Sequence, residues 1–175
     1  MNLKLDFCSY KAAKYAVMKW HYSKKIPSGK LLKFGVWENE EYIGCVLYGR
    51  GANNNALKQY KLECTEGCEL MRVALKEHKT PTSKIIAISL RLLKKHNPKL
   101  KLVISYADPE QNHKGIIYQA SNWINEGKTK PVDYYIDARG NEIHWRKARF
   151  MQKAGKKLEK FYKPGKIKYI YYLRQ

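Results

Sequence analysis

LKLVISYADPEQNHKGIIYQASNW, residues 100–123, is the stretch from which the rest of the chain can be read. Leu102, Val103 and Ile104 form a short apolar, β-branched run that stops at the turn-forming pair Asp108-Pro109, which predicts a buried strand. Asn112 then offers a cap for a helix whose apolar residues Ile116, Ile117, Ala120 and Trp123 recur at helical spacing, with Tyr118 two turns in. α/β proteins place ligands where a strand end opens onto a helix. Asp108 and Tyr118 are therefore expected to face one cleft.

Upstream, residues 3–7 alternate apolar and polar and read as a first strand, and Ser9 caps a helix running to residue 19. Ala13, Ala16, Val17 and Trp20 give that helix one buried stripe, and His21 at its end is either a dipole-favoured C-terminal residue or part of a site. Residues 32–37 and 42–48 form a hairpin. The polar segment 49–55 is a surface loop, because no strand-GxxxxGK-helix pattern surrounds its glycines. Residues 69–75 read as a strand and 84–96 as a helix whose N-terminal N–H groups and dipole suit a phosphate near Thr82 and Ser83, with Lys79 adding charge. Simple capping by Thr82 or Ser83 fits equally well. Residues 127–130 read as a loop, 134–137 as a strand, and 167–173 as a closing, aromatic-rich strand. The order β-α-β-β-β-α-β-α-β-β predicts a mixed α/β (α+β) fold, one central sheet with helices on its faces, in a single domain spanning 1–175.

Thirty-five Lys and Arg against fifteen Asp and Glu give a formal charge of +20, a self-repulsion that a polyanion would offset. Nucleic acid is the expected partner. No apolar run of about twenty residues and no lipidation signal points to a membrane, and the opening MNLKLDFCSYKAAKY lacks a signal-peptide core, so the expected location is cytoplasmic. That compartment keeps Cys8, Cys45, Cys64 and Cys68 reduced, and Cys64 and Cys68 lack the second Cys or His pair that a zinc finger needs. The charge concentrates in 144–168. There Arg146, Lys147, Arg149, Lys153, Lys156, Lys157 and Lys160 are interleaved with Trp145, Phe150, Phe161 and Tyr162, a mixture that suits phosphates and bases.

The element order resembles the GNAT acyltransferases, with residues 69–96 and 101–123 matching that family's cofactor segments. The resemblance implies an acetyl-CoA or other acyl-CoA donor at the strand-loop-helix junction (Lys79, Thr82, Ser83) and Tyr118 as acid toward the departing thiolate. The family's glycine-rich pyrophosphate loop is replaced here by Lys76-Glu77-His78-Lys79-Thr80-Pro81. A closer resemblance, over nearly the whole chain, is to the Mom family of phage DNA-modification proteins. It rests on Trp20-His21-Tyr22-Ser23, residues 44–51, Glu69-Leu70-Met71-Arg72-Val73, Thr80-Pro81-Thr82-Ser83 and Ser105-Tyr106-Ala107-Asp108 through Tyr118. It implies hypermodification of adenine N6 to a methylcarbamoyl adenine that shields phage DNA from restriction, with Arg72, Ser83, Asp108 and Tyr118 as functional positions.

In that reaction Asp108 would accept a proton or hydrogen bond from N6, Tyr118 would act as acid, and Arg72 would hold the donor or an oxyanion. Direct acetyl transfer does not give a methylcarbamoyl group, which carries nitrogen between methyl and carbonyl, so another donor or a rearrangement is needed. His21, Asp108 and Tyr118 are N/O ligand types that would hold iron if they converge. Two other functions fit the sequence: a GNAT-type N-acetyltransferase acting on RNA, protein or a small amine, and a non-catalytic DNA-binding module.

Overall fold

The computed structural model describes residues 2–51 and 55–173. In chain order the elements are β1 (Leu3–Phe7), α1 (Tyr10–Trp20), β2 (Leu31–Glu38), β3 (Glu41–Gly49), β4 (Gly67–Leu75), α2 (Thr82–His96) and β5 (Leu102–Ala107). There follow α3 (Ile116–Gln119), β6 (Ile124–Lys128), β7 (Val132–Ile136), β8 (Glu142–His144), α4 (Trp145–Lys153), β9 (Glu159–Lys163) and β10 (Ile167–Tyr172). Seven strands form one sheet in the order β1-β2-β3-β4-β5-β10-β6, and three form a second in the order β8-β7-β9. Among the described residues of the large sheet, β4 and β5 are the one pair that runs parallel. The expected mixed sheet with helices on its faces is the architecture found.

Strand β3 shows how the two faces are filled. Side chains alternate along a strand: Cys45 and Leu47 pack with Ala13, Ala16 and Val17 of α1, while Val46 and Tyr48 pack with Ile85, Ile86, Leu90 and Leu93 of α2. The small residues of α1 let it lie close to the sheet, and Ser9 starts the helix as expected, its Oγ accepting from the Ala12 N–H at 3.1 Å. Tyr48, fully enclosed, satisfies its hydroxyl on Ser89 of α2 at 2.7 Å.

The decisive stretch departs from expectation after its strand. Asp108, just past the end of β5, caps a 3-10 turn at Pro109–Gln111, its Oδ1 accepting from the Glu110 N–H at 3.2 Å. Asn112 (φ 55°) and Gly115 (φ 76°) are left-handed, a conformation no helix passes through, so no helix begins at Asn112. α3 is a single turn, cut off again at Asn122 (φ 61°), which leaves Trp123 outside it. Gly115 is required there, because a Cβ would lie 2.3 Å from the Tyr169 hydroxyl. Helix α2 starts two residues earlier than predicted, with Pro81 at the cap position, so neither Thr82 nor Ser83 caps it.

The chain beyond Trp123 is more structured than its composition suggests. Residues read as a loop from 127 begin inside β6, and the strand read at 134–137 belongs to the second sheet, between β8 and β9. Because β6 and β10 pair antiparallel, residues 129–166 form an insertion at the end of a hairpin. Its neck is tied by Thr129 N–H to Lys166 O (2.9 Å) and Lys166 N–H to Thr129 Oγ1 (3.0 Å). At Gly165 a Cβ would fall 1.7 Å from the Thr129 carbonyl oxygen, so the two chain segments touch only because that position is glycine. Of the polar segment 49–55, residues 52–54 lie outside the described residues. Among the described residues, no helix is long and apolar enough to cross a membrane.

Candidate functional site

The site follows from how β4 and β5 part. They pair only from Gly67↔Leu102 to Glu69↔Ile104, yet β4 continues to Leu75 and β5 to Ala107, so a wedge opens between them. Three adjoining cavities run through it. The first, about 360 Å³, lies against the start of α2 and is lined by Val73, Leu75, His78, Thr82 and the stretch 112–118. A middle one of about 140 Å³ holds His21, Tyr22, Glu69, Arg72, Tyr118 and Lys166 among its walls. The outer one, about 460 Å³, lies between the large sheet and the insertion and is lined by Tyr22, Tyr106, Asp108, Tyr134, His144 and Lys166, among others. First and middle share Tyr118; middle and outer share Tyr22, Tyr106 and Lys166.

Tyr118 is buried, stacked on Tyr169 (4.9 Å between centroids) and edge-on to Trp123 (5.2 Å). Burial, the largest influence, raises its pKa, so the phenol keeps its proton. The Ser105 hydroxyl sits 2.8 Å from the Tyr118 hydroxyl and 3.0 Å from the Leu70 carbonyl. Ser105 has one proton to give, and turning it from Leu70 to Tyr118 leaves the phenol proton free to be passed on. His21 is almost enclosed, and its Nδ1 accepts from the Ser23 N–H at 3.1 Å, which puts the ring proton on Nε2. Burial first, then Arg72, His113 and Lys24, push its pKa down to about 4. Near neutral pH His21 is thus an uncharged hydrogen-bond donor. Arg72 is held by its own backbone neighbour, Nη1 donating to Met71 O at 2.7 Å.

Asp108 lines the outer cavity and Tyr118 the middle one, so the two share the cleft but not a wall. Lys166 at the neck binds Asp108 Oδ2 at 3.0 Å, and the other carboxylate oxygen holds the 3-10 turn. The trio His21, Asp108 and Tyr118 is therefore not assembled as an iron site. Both Asp108 oxygens are engaged, and a metal on His21 Nε2 would require Nδ1 to carry a proton where Ser23 already donates one. Among the described residues no three His, Cys, Asp or Glu gather as metal ligands.

At the expected phosphate seat, Thr82 reaches the first cavity, with His78 Nε2 3.1 Å from its Oγ1, while Lys79 and Ser83 lie beside it rather than in its wall. The N–H groups of Lys79 and Thr80 are taken by the buried Glu38 at the end of β2 (3.0 and 2.8 Å). The Thr80 hydroxyl and these N–H groups hold the Glu38 carboxyl at about 2, so it is a fixed anion behind the loop. Of the basic residues picked from the sequence, Arg146 stacks on Trp145 and Lys160 pairs with Asp133 at 2.8 Å. Lys147, Arg149, Lys153, Lys156 and Lys157 are exposed and make no ion pair with described residues.

Sequence reasoning missed Glu69, Tyr106, His113 and Lys166. Glu69 hides behind strand alternation, which places it on the opposite face from Arg72. A bulge at Met71, where Leu47 pairs Arg72 but Tyr48 pairs Leu70, brings both to the middle cavity. Burial raises the Glu69 pKa, with Arg72 and Lys166 opposing. Lys166 was visible only as one more cation in a basic run.

Solved structures share this fold at very low identity. Among them are the aminoglycoside acetyltransferase AAC(6')-Ib with paromomycin and acetyl-CoA (8% identity, 98% of this chain and 94% of that one, TM-score 0.61) and the spermidine N-acetyltransferase of Vibrio cholerae with CoA and spermine (10%, 98% and 95%, TM-score 0.54). The methylcarbamoylase Mom of Escherichia phage Mu is 26% identical over 140 residues, 78% of this chain but 58% of the phage protein's length. The Mom protein family matches residues 2–175, and on that match this chain, built on the fold of GNAT acetyltransferases, belongs to the Mom family.

Proposed function

We propose that this protein is a phage DNA-modification transferase that converts adenine N6 in double-stranded DNA to a methylcarbamoyl adenine and so shields the DNA from host restriction. The observation carrying the proposal is the row of adjoining cavities along the β4–β5 wedge, with His21, Glu69, Arg72 and Tyr118 at its narrow middle and a cationic insertion at its outer end. The relative from phage Mu, named a methylcarbamoylase, supports the transferred group, and the family supports DNA as the acceptor.

The first cavity is the donor side. Val73, Leu75, Ile116 and Ile117 would hold the apolar arm of an acyl-CoA, and the N–H groups of Thr82 and Ser83 at the start of α2 would face its phosphates. For the product to carry nitrogen between methyl and carbonyl, the donor would have to be the methylcarbamoyl thioester itself, whose activated carbonyl would pass to N6 with release of the CoA thiol. In the middle cavity Arg72 and the neutral His21 would stabilise negative charge on that carbonyl oxygen, Tyr118 would give a proton to the leaving group, and Glu69, made more basic by burial, would take one from N6. Asp108 would orient the amine from the outer side.

Acceptors of the aminoglycoside or polyamine kind are cations, and here Arg72, Lys114, Lys163 and Lys166 of the cleft outnumber its Glu69, Asp108 and Glu110, in a chain of net charge +20. An anionic acceptor fits that field better. Exposed Trp145 and Phe150 among the unpaired cations of α4 add aromatic surface for bases. Nucleoside mass spectrometry of DNA from cells expressing the protein tests the reading. Methylcarbamoyl adenine that appears with the wild-type protein, and not with Tyr118→Phe, supports it; unmodified adenine in both overturns it.

A further inference from the structure

We infer that the outer cavity is the seat of an unpaired, amine-bearing base drawn out of the duplex, an inference that rests on the DNA-modifying reading above. Adenine N6 is paired inside the helix, so any enzyme acting on it needs somewhere to put the extruded base. The outer cavity is the part of the cleft that joins the reactive middle while facing the insertion. At about 460 Å³ it is within the usual range of small-ligand sites, roughly 300–1,000 Å³.

Its walls have the right chemistry. Four rings line it from three parts of the fold: Tyr22 after α1, Tyr106 on β5, and the cross-strand pair of Tyr134 on β7 and His144 on β8. The pairing of β7 with β8 brings the last two together, but it does not account for Tyr22 and Tyr106, and aromatic rings are what proteins offer the faces of unstacked bases. His144 is kept uncharged by partial burial and by Arg146, which suits a stacking surface. Among the polar groups on the wall, with Glu110, Gln111 and Thr129, is Asp108, whose carboxylate only accepts hydrogen bonds and is oriented by Lys166 and the Glu110 N–H. A fixed acceptor favours a base with an exocyclic amine over thymine, whose one donor is the ring N3–H between two carbonyl oxygens. Lys163, paired with Glu142, and Lys166, paired with Asp108, stand in the same wall and offset its carboxylates.

The arrangement gives the insertion a purpose. Tyr134 and His144 belong to it, Tyr22, Tyr106 and Asp108 to the large sheet and its loops, so the cavity exists only because the neck at Thr129, Gly165 and Lys166 holds the two parts together.

Fluorescence anisotropy with the full chain tests this on three short duplexes of one sequence: fully paired, with one unpaired adenine, and with one unpaired thymine. Extruding a paired base costs a few kcal/mol, so the unpaired adenine should bind at least about 10-fold more tightly than the matched duplex, and the unpaired thymine should gain less. Tyr22→Leu, at an exposed ring outside the insertion, should cut the gain while leaving matched-duplex affinity in place. Asp108→Asn, which preserves shape and needs no repacking, should erase the preference for adenine over thymine. Equal binding of matched and unpaired duplexes by the wild-type protein overturns the inference and spares the DNA reading. Absence of binding to all three at low salt overturns the DNA reading itself. A full adenine preference retained by both folded variants places the base elsewhere.

Discussion

The large sheet and the insertion are built on opposite terms. In the large sheet, buried apolar residues from β2 to β5, α1 and α2 form continuous layers, and polar groups inside are paired, as with Tyr48 on Ser89. In the insertion, β7, β8, α4 and β9 enclose only Ile143 and Ala148, and the rest of the cohesion comes from rings and ions: Lys163 over Tyr134, Tyr134 against Phe161 and His144, Lys160 with Asp133, Lys163 with Glu142. Exposed ion pairs contribute about 0–1 kcal/mol each. The insertion thus leans on its neck and on the large sheet for stability, and its surface is left free for charge. On the proposed function, one part would hold the chemistry rigidly while the other would meet a polyanion.

The largest expected effect lies in the rigid part. Tyr118→Phe removes only the hydroxyl near Ser105, and Glu69→Gln only a charge, so both should fold and bind DNA as wild type. Loss of one acid–base function typically lowers rate by about 10²–10⁴. Modified adenine should fall to traces in each, and Glu69→Gln should also lose the acid-side limb of the pH profile, which the raised Glu69 pKa sets above that of an ordinary carboxylate. Wild-type modification by both variants would move the chemistry out of the middle cavity.

The next effect breaks the other side of the comparison. Reversing charge at Arg149, Lys153, Lys156 and Lys157 together should weaken DNA binding at least about 10-fold and flatten its salt dependence, by roughly 0.9 in the log–log slope for each phosphate no longer neutralised. Lys160→Glu alone should do less through DNA, since Lys160 is already paired with Asp133, and more through local stability. Salt titrations of both variants separate the two outcomes.

A smaller effect is expected where the parts join. Gly165→Ala forces the Thr129 carbonyl away, opening the neck and shifting Lys166 off Asp108. Melting should drop by several degrees, in line with a destabilisation of about 1–3 kcal/mol, while secondary structure by circular dichroism persists. An unchanged melting temperature would mean that the neck yields without cost.

This contrast also marks what was legible. Alternation and helical spacing expose the large sheet, because β3 and α1 fold as their own patterns dictate. The left-handed Asn112 and Gly115 were invisible to spacing, since Gly115 is imposed by Tyr169 across the sheet, 54 residues on. The Met71 bulge moved Glu69 into the site against its expected face. In the insertion β7 was legible at 134–137, whereas β8 is only three residues long and β9 sets its rings between Lys160 and Lys163, so neither shows an apolar alternation to read.

The smallest effect concerns His21 and sharpens the account of the rigid part. Its folded pKa is about 4 against 6.5 for an ordinary histidine, depressed chiefly by burial and then by Arg72, His113 and Lys24. As pH falls through 6.5 the unfolded chain takes up a proton that the folded chain refuses until about 4, so the unfolded state binds more protons and stability falls with pH across that window. Below about 4 the loss is complete. His21→Gln, whose amide oxygen can still accept from Ser23 N–H, should remove this component: the difference in melting temperature between pH 7 and pH 4.5 should shrink relative to wild type, with little change at pH 7. An identical acid-side slope in both proteins would show that His21 takes up its proton normally in the folded state, and a charged imidazolium rather than a neutral donor would then stand beside Arg72.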